Sequence, residues 1–184
     1  KANEGLGNLR IMLPMVSNIP ELEEALALIR RSHEELAQEG IETPMPPIGV
    51  MVEVPAAVYQ AKALAERVDF LSVGSNDLTQ YLLAVDRNNA RVSVLYQAFH
   101  PAVLSALEHV AVTARAAGKQ VSICGELAGN PQAAILLIAM GYSVLSMNST
   151  SLPRVKQAIR SLTASDAKLV LEEVQSLDSS LAVQ

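Results

Sequence analysis

Five short runs rich in Val, Ile, Leu and Met punctuate the chain: Leu9–Val16, Ile48–Glu53, Val68–Val73, Gln120–Cys124 and Ser143–Met147. Each is nearly continuously apolar rather than alternating, the pattern of strands covered on both faces, as in parallel sheets. Between them the apolar positions fall at helical spacing. In Glu21–Gln38, the residues Leu22, Ala25, Leu26, Ile29 and Leu36 fall mostly on one stripe with charges opposite. Asn18 with Glu21 predicts a capping box, Pro20 suits a first turn, and Gly40 supplies a stop. Further helices are predicted over Pro55–Val68, Asp77–Val85, Pro101–Ala117, Pro131–Met140 and Leu152–Leu162. Gly118 and Gly141 follow two of them as stops. From Ser165 onward the pattern is one amphipathic helix followed by a fraying tail.

Strands alternating with helices over short loops imply an α/β architecture with right-handed parallel crossovers. Met45-Pro46-Pro47 is a stiff approach to the second strand rather than a linker, and no internal repeat or low-complexity tract interrupts the series. The expected division is one α/β unit over residues 1–164 and a C-terminal helix and tail over 165–184. Five βα units are too few to close an eight-stranded barrel, which takes about 250 residues. An open doubly wound sheet and a piece of a barrel both satisfy the periodicity.

Composition narrows the function classes. The 184 residues are 50% hydrophobic and 18% charged, which gives a sizeable core and excludes disorder as the main reading. The net charge of −5, with no run of five basic residues, argues against nucleic acid, as do only four Tyr, two Phe and no Trp for stacking. No apolar stretch approaches the roughly 18 residues of a membrane span, so no membrane partner is expected. The N-terminus has neither a signal-peptide core nor an initiator Met, which suggests a processed product or a piece of a longer chain. Cys124 is the only cysteine, which fits a reducing, cytoplasmic setting.

In parallel α/β folds, working residues gather at the C-terminal ends of strands. The second run ends on Glu53, the third runs into Ser75-Asn76-Asp77, and the fourth ends Cys124-Gly125-Glu126. With neighbouring strands about 4.8 Å apart, Glu53 and Asp77 can converge on one hard cation such as Mg2+ or Mn2+. Plainer readings stand beside each. Glu53 also reads as a solvated strand end, Asp77 or Asn76 as a helix cap, and Cys124 as a small buried hydrophobe. Arg87 also reads as a surface charge at a helix C-terminus. His33, His100 and His109 form no metal-spaced pair and read as structural.

Taken together these residues resemble a known family. The strings Gly49-Val50-Met51-Val52-Glu53-Val54-Pro55-Ala56-Ala57, Val73-Gly74-Ser75-Asn76-Asp77-Leu78-Thr79-Gln80-Tyr81, Ala84-Val85-Asp86-Arg87 and Cys124-Gly125-Glu126-Leu127-Ala128-Gly129 carry the likeness. They closely resemble enzyme I of the bacterial phosphotransferase system, the phosphoenolpyruvate (PEP)–protein phosphotransferases of the PEP-utilising enzyme family. The likeness runs from about Leu9 to Leu162, and Asp86-Arg87-Asn88-Asn89-Ala90-Arg91-Val92 looks most like the nitrogen-related paralogue, hence nitrogen regulation.

The resemblance implies a TIM-type (β/α)8 barrel of which this chain is the second half, about strands four to eight. It implies Mg2+ held by Glu53 and Asp77, with Asn76, Arg87 and Gly125 at the substrate. Cys124 would protonate the enolate carbon as pyruvate forms. The implied partners are PEP and pyruvate, a histidine-bearing N-terminal domain of the same protein, a small phosphocarrier protein, and a second copy in a homodimer. No motif of the family's phosphorylatable histidine surrounds His33, His100 or His109. The docking domain and first three strands also have no counterpart here, so the chain is expected to hold part of an active site. Pyruvate phosphate dikinase or PEP synthase, which share the barrel, and a non-catalytic dimerisation module are the alternatives.

Overall fold

Each strand of the sheet pairs with its neighbour in sequence. The computed structural model describes residues 1–177 and Ser179. Its strands are β1 (Ile11–Leu13), β2 (Ile48–Val52), β3 (Phe70–Gly74), β4 (Gln120–Cys124) and β5 (Val144–Ser146), all parallel and in the order β1-β2-β3-β4-β5. A doubly wound sheet reverses its strand order at a switch point. This one does not. With right-handed crossovers, an order that advances steadily in one direction keeps every helix on one face, as in an arc of a (β/α)8 barrel. The five strands form a partial barrel of that type.

The helices are α1 (Ile19–Gln38), α2 (Pro55–Tyr59), α3 (Ala61–Ala65), α4 (Ser75–Leu83), α5 (Pro101–Ala116), α6 (Pro131–Met140), α7 (Leu152–Arg160) and α8 (Ala164–Gln175). The core lies between them and one face of the sheet, where Val50, Val52, Leu71, Val73 and Ile123 are sealed from solvent with Leu22, Leu64, Leu107 and Leu137. The other face carries Met12, Met51, Ser72, Gln120, Ser122 and Val144, and Met12, Gln120 and Val144 are exposed. The expectation of strands covered on both faces therefore fails at β1, β4 and β5, whose second-face positions meet no covering layer. At the N-terminal end of that face, Arg10 stacks over the Phe70 ring, 5.4 Å from its centroid, and donates to Gln120 Oε1 at 2.9 Å.

Several boundaries differ from the sequence pattern. The helix expected over Pro55–Val68 is broken at Gln60 (φ −102°, ψ 9°), whose side chain donates to the Ser17 and Ala56 carbonyls. The capping box at α1 is only half made: Asn18 accepts from Glu21 N, but the Glu21 carboxylate turns to Ser17 N and Oγ. Helix α8 has the complete box instead, between Thr163 and Asp166. Of the tail expected after α8, residues 178 and 180–184 lie outside the described residues. Among the described residues no helix is long and apolar enough to cross a membrane.

Candidate active site at the strand ends

The strand register brings the candidate residues to one end of the sheet. Val52 pairs with Val73, and Gly74 pairs with Cys124, so Glu53, Gly74 and Cys124 are lateral neighbours on the face away from the helices. Gly74 makes the crowding possible. A Cβ there would lie 2.6 Å from Glu53 Oε2 and 3.1 Å from Met51 Sδ. Glu53 is consequently 4% exposed, not the solvated strand end that its position also allowed. Its Oε1 accepts the Met15 backbone N–H at 2.8 Å, and Met15 adopts φ +54° to present it. A long side chain rarely occupies that left-handed region, so the turn after β1 is held strained against Glu53.

The third strand passes directly into α4, which begins at Ser75, two residues earlier than the sequence pattern suggests. Asp77 thus sits inside the first turn, and the N-cap is Gly74 with no side-chain cap, so neither Asp77 nor Asn76 is a capping residue. Arg87 folds back along the helix, its Nη2 3.4 Å from Asp77 Oδ1, instead of standing at the helix C-terminus. Both side chains of this pair are 36% exposed. Ala84, in the left-handed conformation, ends the helix and turns the chain toward Arg87.

The β4 exit is stitched to this first turn. Ser75 Oγ donates to the Cys124 carbonyl at 2.7 Å, and Glu126 N donates to Asn76 Oδ1 at 3.1 Å. Between them Gly125 has φ +102°, and a Cβ there would strike Ser75 Oγ and lie 2.8 Å from Asn76 Oδ1. Only glycine meets both demands. Tyr96, from the loop after Arg87, donates its hydroxyl to the Asn76 carbonyl at 3.3 Å. Burial raises its phenol above the usual range, opposed by Thr79 and Arg87 beside it. Thr79 Oγ1 is fully buried without a hydrogen bond of ordinary geometry, although the Tyr96 phenol is close enough to feel it.

Cys124 is half-buried, its Sγ 3.5 Å from the Val73 carbonyl. Burial pushes its thiol up, and the Glu53 and Asp77 carboxylates push it further in the same direction. The thiol is therefore protonated at neutral pH, which suits a proton donor and not a nucleophile. Among the described residues, no three His, Cys, Asp or Glu side chains form a metal-binding group. The candidate set is two carboxylates, and among the described residues no cationic side chain pairs with the buried Glu53. A buried carboxylate with no countercharge is costly, so the donor set suits a cation. Hard oxygen donors, few in number, fit Mg2+, which keeps waters and shares substrate phosphates.

Sequence reasoning did not single out Met15, Ser75 or Tyr96. Met15 acts through its backbone and leaves no side-chain signal. Ser75 was visible only as a polar residue between an apolar strand and Asn76-Asp77. Of the three histidines, His33 Nε2 meets the Thr43 carbonyl at 2.7 Å, His100 caps α5 through Nδ1, and His109 is exposed on α5.

Comparison with known proteins bears on this geometry. Residues 1–164 match the family described as PEP-utilising enzyme, PEP-binding domain. The chain is 46% identical over 185 residues to the phosphoenolpyruvate-dependent phosphotransferase system protein of Salmonella typhimurium, covering 100% of this chain and 24% of that one. It is 44% identical over 167 residues to the phosphoenolpyruvate-protein phosphotransferase of Haemophilus influenzae, covering 90% of this chain and 29% of that one. The chain thus spans about a quarter of the length of these relatives. Among solved structures, a citrate lyase from Burkholderia xenovorans superposes with TM-score 0.60 at 20% identity, covering 95% of this chain and 60% of that one. The protein CitE of Mycobacterium tuberculosis superposes with TM-score 0.55 at 16% identity, covering 96% and 67%. At such identity these two show a shared fold only.

Proposed function

This chain belongs to the PEP-utilising enzymes, as their PEP-binding domain, and on that premise we propose that it supplies the PEP half-site of a phosphoenolpyruvate–protein phosphotransferase. The observation that carries the reading is the gathering of Glu53, Asn76, Asp77, Arg87 and a protonated Cys124 around one strand end. The reaction moves the phosphoryl group of PEP to a histidine of the enzyme's N-terminal domain and then to a small phosphocarrier protein. The P–O bond breaks, an N–P bond forms, and the enolate left behind takes a proton at carbon to become pyruvate.

Each side chain suits one part of that work. Asn76, its oxygen committed to Glu126, keeps Nδ2 as a donor for a phosphoryl oxygen. Arg87 reaches the same end and has more donors than its pair with Asp77 uses. Glu53 and Asp77 would hold Mg2+, which when bound supplies positive charge against the phosphoryl oxygens. Cys124 gives its thiol proton to the enolate carbon and regains one from water. Gly125 lets the backbone approach the substrate closely. The choice of a phosphotransferase over a dikinase or synthase rests on the names of the relatives, and the nitrogen-related branch on the run Asp86–Val92.

Self-association is favoured by a separate observation. The free edge of β1 exposes Leu9, which with Ile11 of β1 and Leu28 and Ile29 of α1 lines an apolar cavity of about 310 Å³. Contiguous apolar surface of this kind favours association. Sedimentation over a range of concentrations tests it, and a mass that stays monomeric throughout ends that reading. The PEP site is tested by calorimetric titration of PEP with and without Mg2+. Heat that needs Mg2+ and is lost in Asp77→Ala supports the site, and equal binding in Asp77→Ala removes the metal assignment.

A further inference from the structure

We propose that Ser75 is a positioning residue that aims Cys124 at the substrate carbon. The role rests on the PEP-site reading above and deepens it. Ser75 and Asn76 are consecutive, and each reaches across to the β4 exit at either side of Gly125. Ser75 Oγ holds the Cys124 carbonyl at 2.7 Å, and Asn76 Oδ1 holds the Glu126 N–H at 3.1 Å. A three-residue loop carrying the acid is thereby pinned at both ends to the helical turn that carries Asn76 and Asp77.

Among the described residues the Ser75 hydroxyl makes this one hydrogen bond. It is 1% exposed, so it contributes nothing to solvation, and α4 uses no side-chain cap. Serine at a helix start ordinarily caps its own helix. Here it spends its hydrogen bond on a residue 49 positions away. Among the described residues the Cys124 thiol has one long contact, to the Val73 carbonyl, so its direction follows from its own backbone. The sheet pairs that backbone with Gly74 and Ser146, and Ser75 fixes its carbonyl, where the chain leaves the strand. Proton transfer to carbon is sensitive to such placement: a shift of about 1 Å can cost about a hundredfold in rate.

The test uses the complete protein that carries these residues, with Ser75→Thr and Ser75→Val as a pair of nearly equal volume differing in the hydroxyl. The readout is exchange of pyruvate methyl protons with D2O. In the minor fraction that holds Cys124 as thiolate, the C3–H bond breaks as an S–H bond forms and the electron pair passes into the enolate. Solvent deuterium then replaces the thiol proton, and its return to the enolate forms a C3–D bond. Thermal midpoints and the KM for PEP are measured alongside.

Ser75→Val is expected to slow exchange, and kcat for pyruvate formation, by about 10- to 100-fold, with KM within about twofold. Ser75→Thr is expected to stay near the parent rate. If Ser75→Val does not fold, Ser75→Ala, which adds no atoms, takes its place. Equal exchange in the Thr and Val variants overturns the role, as does a rise in KM at constant kcat. Cys124→Ser separates the two levels. If exchange survives it, the thiol is not the acid, and the site reading falls together with this role. If Cys124→Ser abolishes exchange and Ser75→Val leaves it untouched, only the role of Ser75 falls.

Discussion

Asn76 turns its amide oxygen, not its nitrogen, toward the β4 exit, where Oδ1 accepts the Glu126 backbone N–H at 3.1 Å. A backbone N–H can only donate, so this bond fixes the orientation of the amide. Nδ2 is left facing elsewhere and can only donate, which is what an anionic oxygen requires. Asn76→Asp keeps the acceptor and replaces the donor with negative charge. The variant is expected to fold with an unchanged urea midpoint and to lose PEP affinity by about 100-fold in calorimetry. Retained affinity would place the phosphoryl group away from Asn76.

Glu53 combines a structural bond with a candidate metal oxygen, and two substitutions separate them. Glu53→Ala removes the buried carboxylate that accepts the Met15 N–H at 2.8 Å. Losing it is expected to cost about 1–3 kcal/mol in urea denaturation. Glu53→Gln can still accept from Met15 while removing the charge. It is expected to stay within about 1 kcal/mol of the parent and to lose Mg2+-dependent PEP binding. Equal stability loss in both variants would mean that the charge, not the bond, holds the turn after β1.

Gly125 carries a conformational demand that can be measured directly. At φ +102°, with Ser75 Oγ and Asn76 Oδ1 in the way, Gly125→Ala combines backbone strain with a collision at the β4 exit. A destabilisation of about 1–3 kcal/mol is expected from the urea midpoint. An unperturbed midpoint would show that the exit loop readily rearranges.

The Cys124 thiol is raised first by burial and then by Glu53 and Asp77. Iodoacetamide attacks the thiolate, so its rate in metal-free protein is expected to climb only above the ordinary thiol range. Glu53→Gln is expected to move that climb to lower pH. The folded state holds the thiol proton more tightly than the unfolded chain does. The resulting stability is present below the ordinary thiol value and fades as pH rises through the folded one. The urea midpoint should therefore fall more steeply with alkaline pH in the parent than in Cys124→Ala. Parallel profiles would mean that the thiol titrates as in water.

The parts legible in the sequence were those written in local periodicity. The five apolar runs contain β1 to β5 or overlap them by most of their length, and Gly141 ends α6 in a left-handed conformation as its position suggested. What failed depends on contacts across the chain. Gln60 breaks a helix because Ser17, 43 positions earlier, offers a carbonyl. Asp77 reads as a cap until the strand is seen to enter the helix at Ser75. The strand ends named Glu53, Asp77 and Cys124, but nothing local links Met15 to Glu53 or Ser75 to Cys124, pairs 38 and 49 positions apart. The choice between a doubly wound sheet and a barrel arc was equally invisible, because periodicity records which residues are strand but not which strand lies beside which.

The sequential strand order also bears on how the chain is made. A parallel sheet is ordinarily slow to assemble, because partners lie far apart and loops must close before pairing rewards them. Here no strand waits for a later one to separate it from its neighbour. As each strand–helix unit leaves the ribosome, the edge that it needs is already in place. The growing molecule can be laid down in the order of its synthesis, with one open edge at the advancing end at every stage. Glu53 and Gly74 are then in register before Cys124 on β4 has been translated, so the candidate metal carboxylates form the template on which the thiol is later fitted.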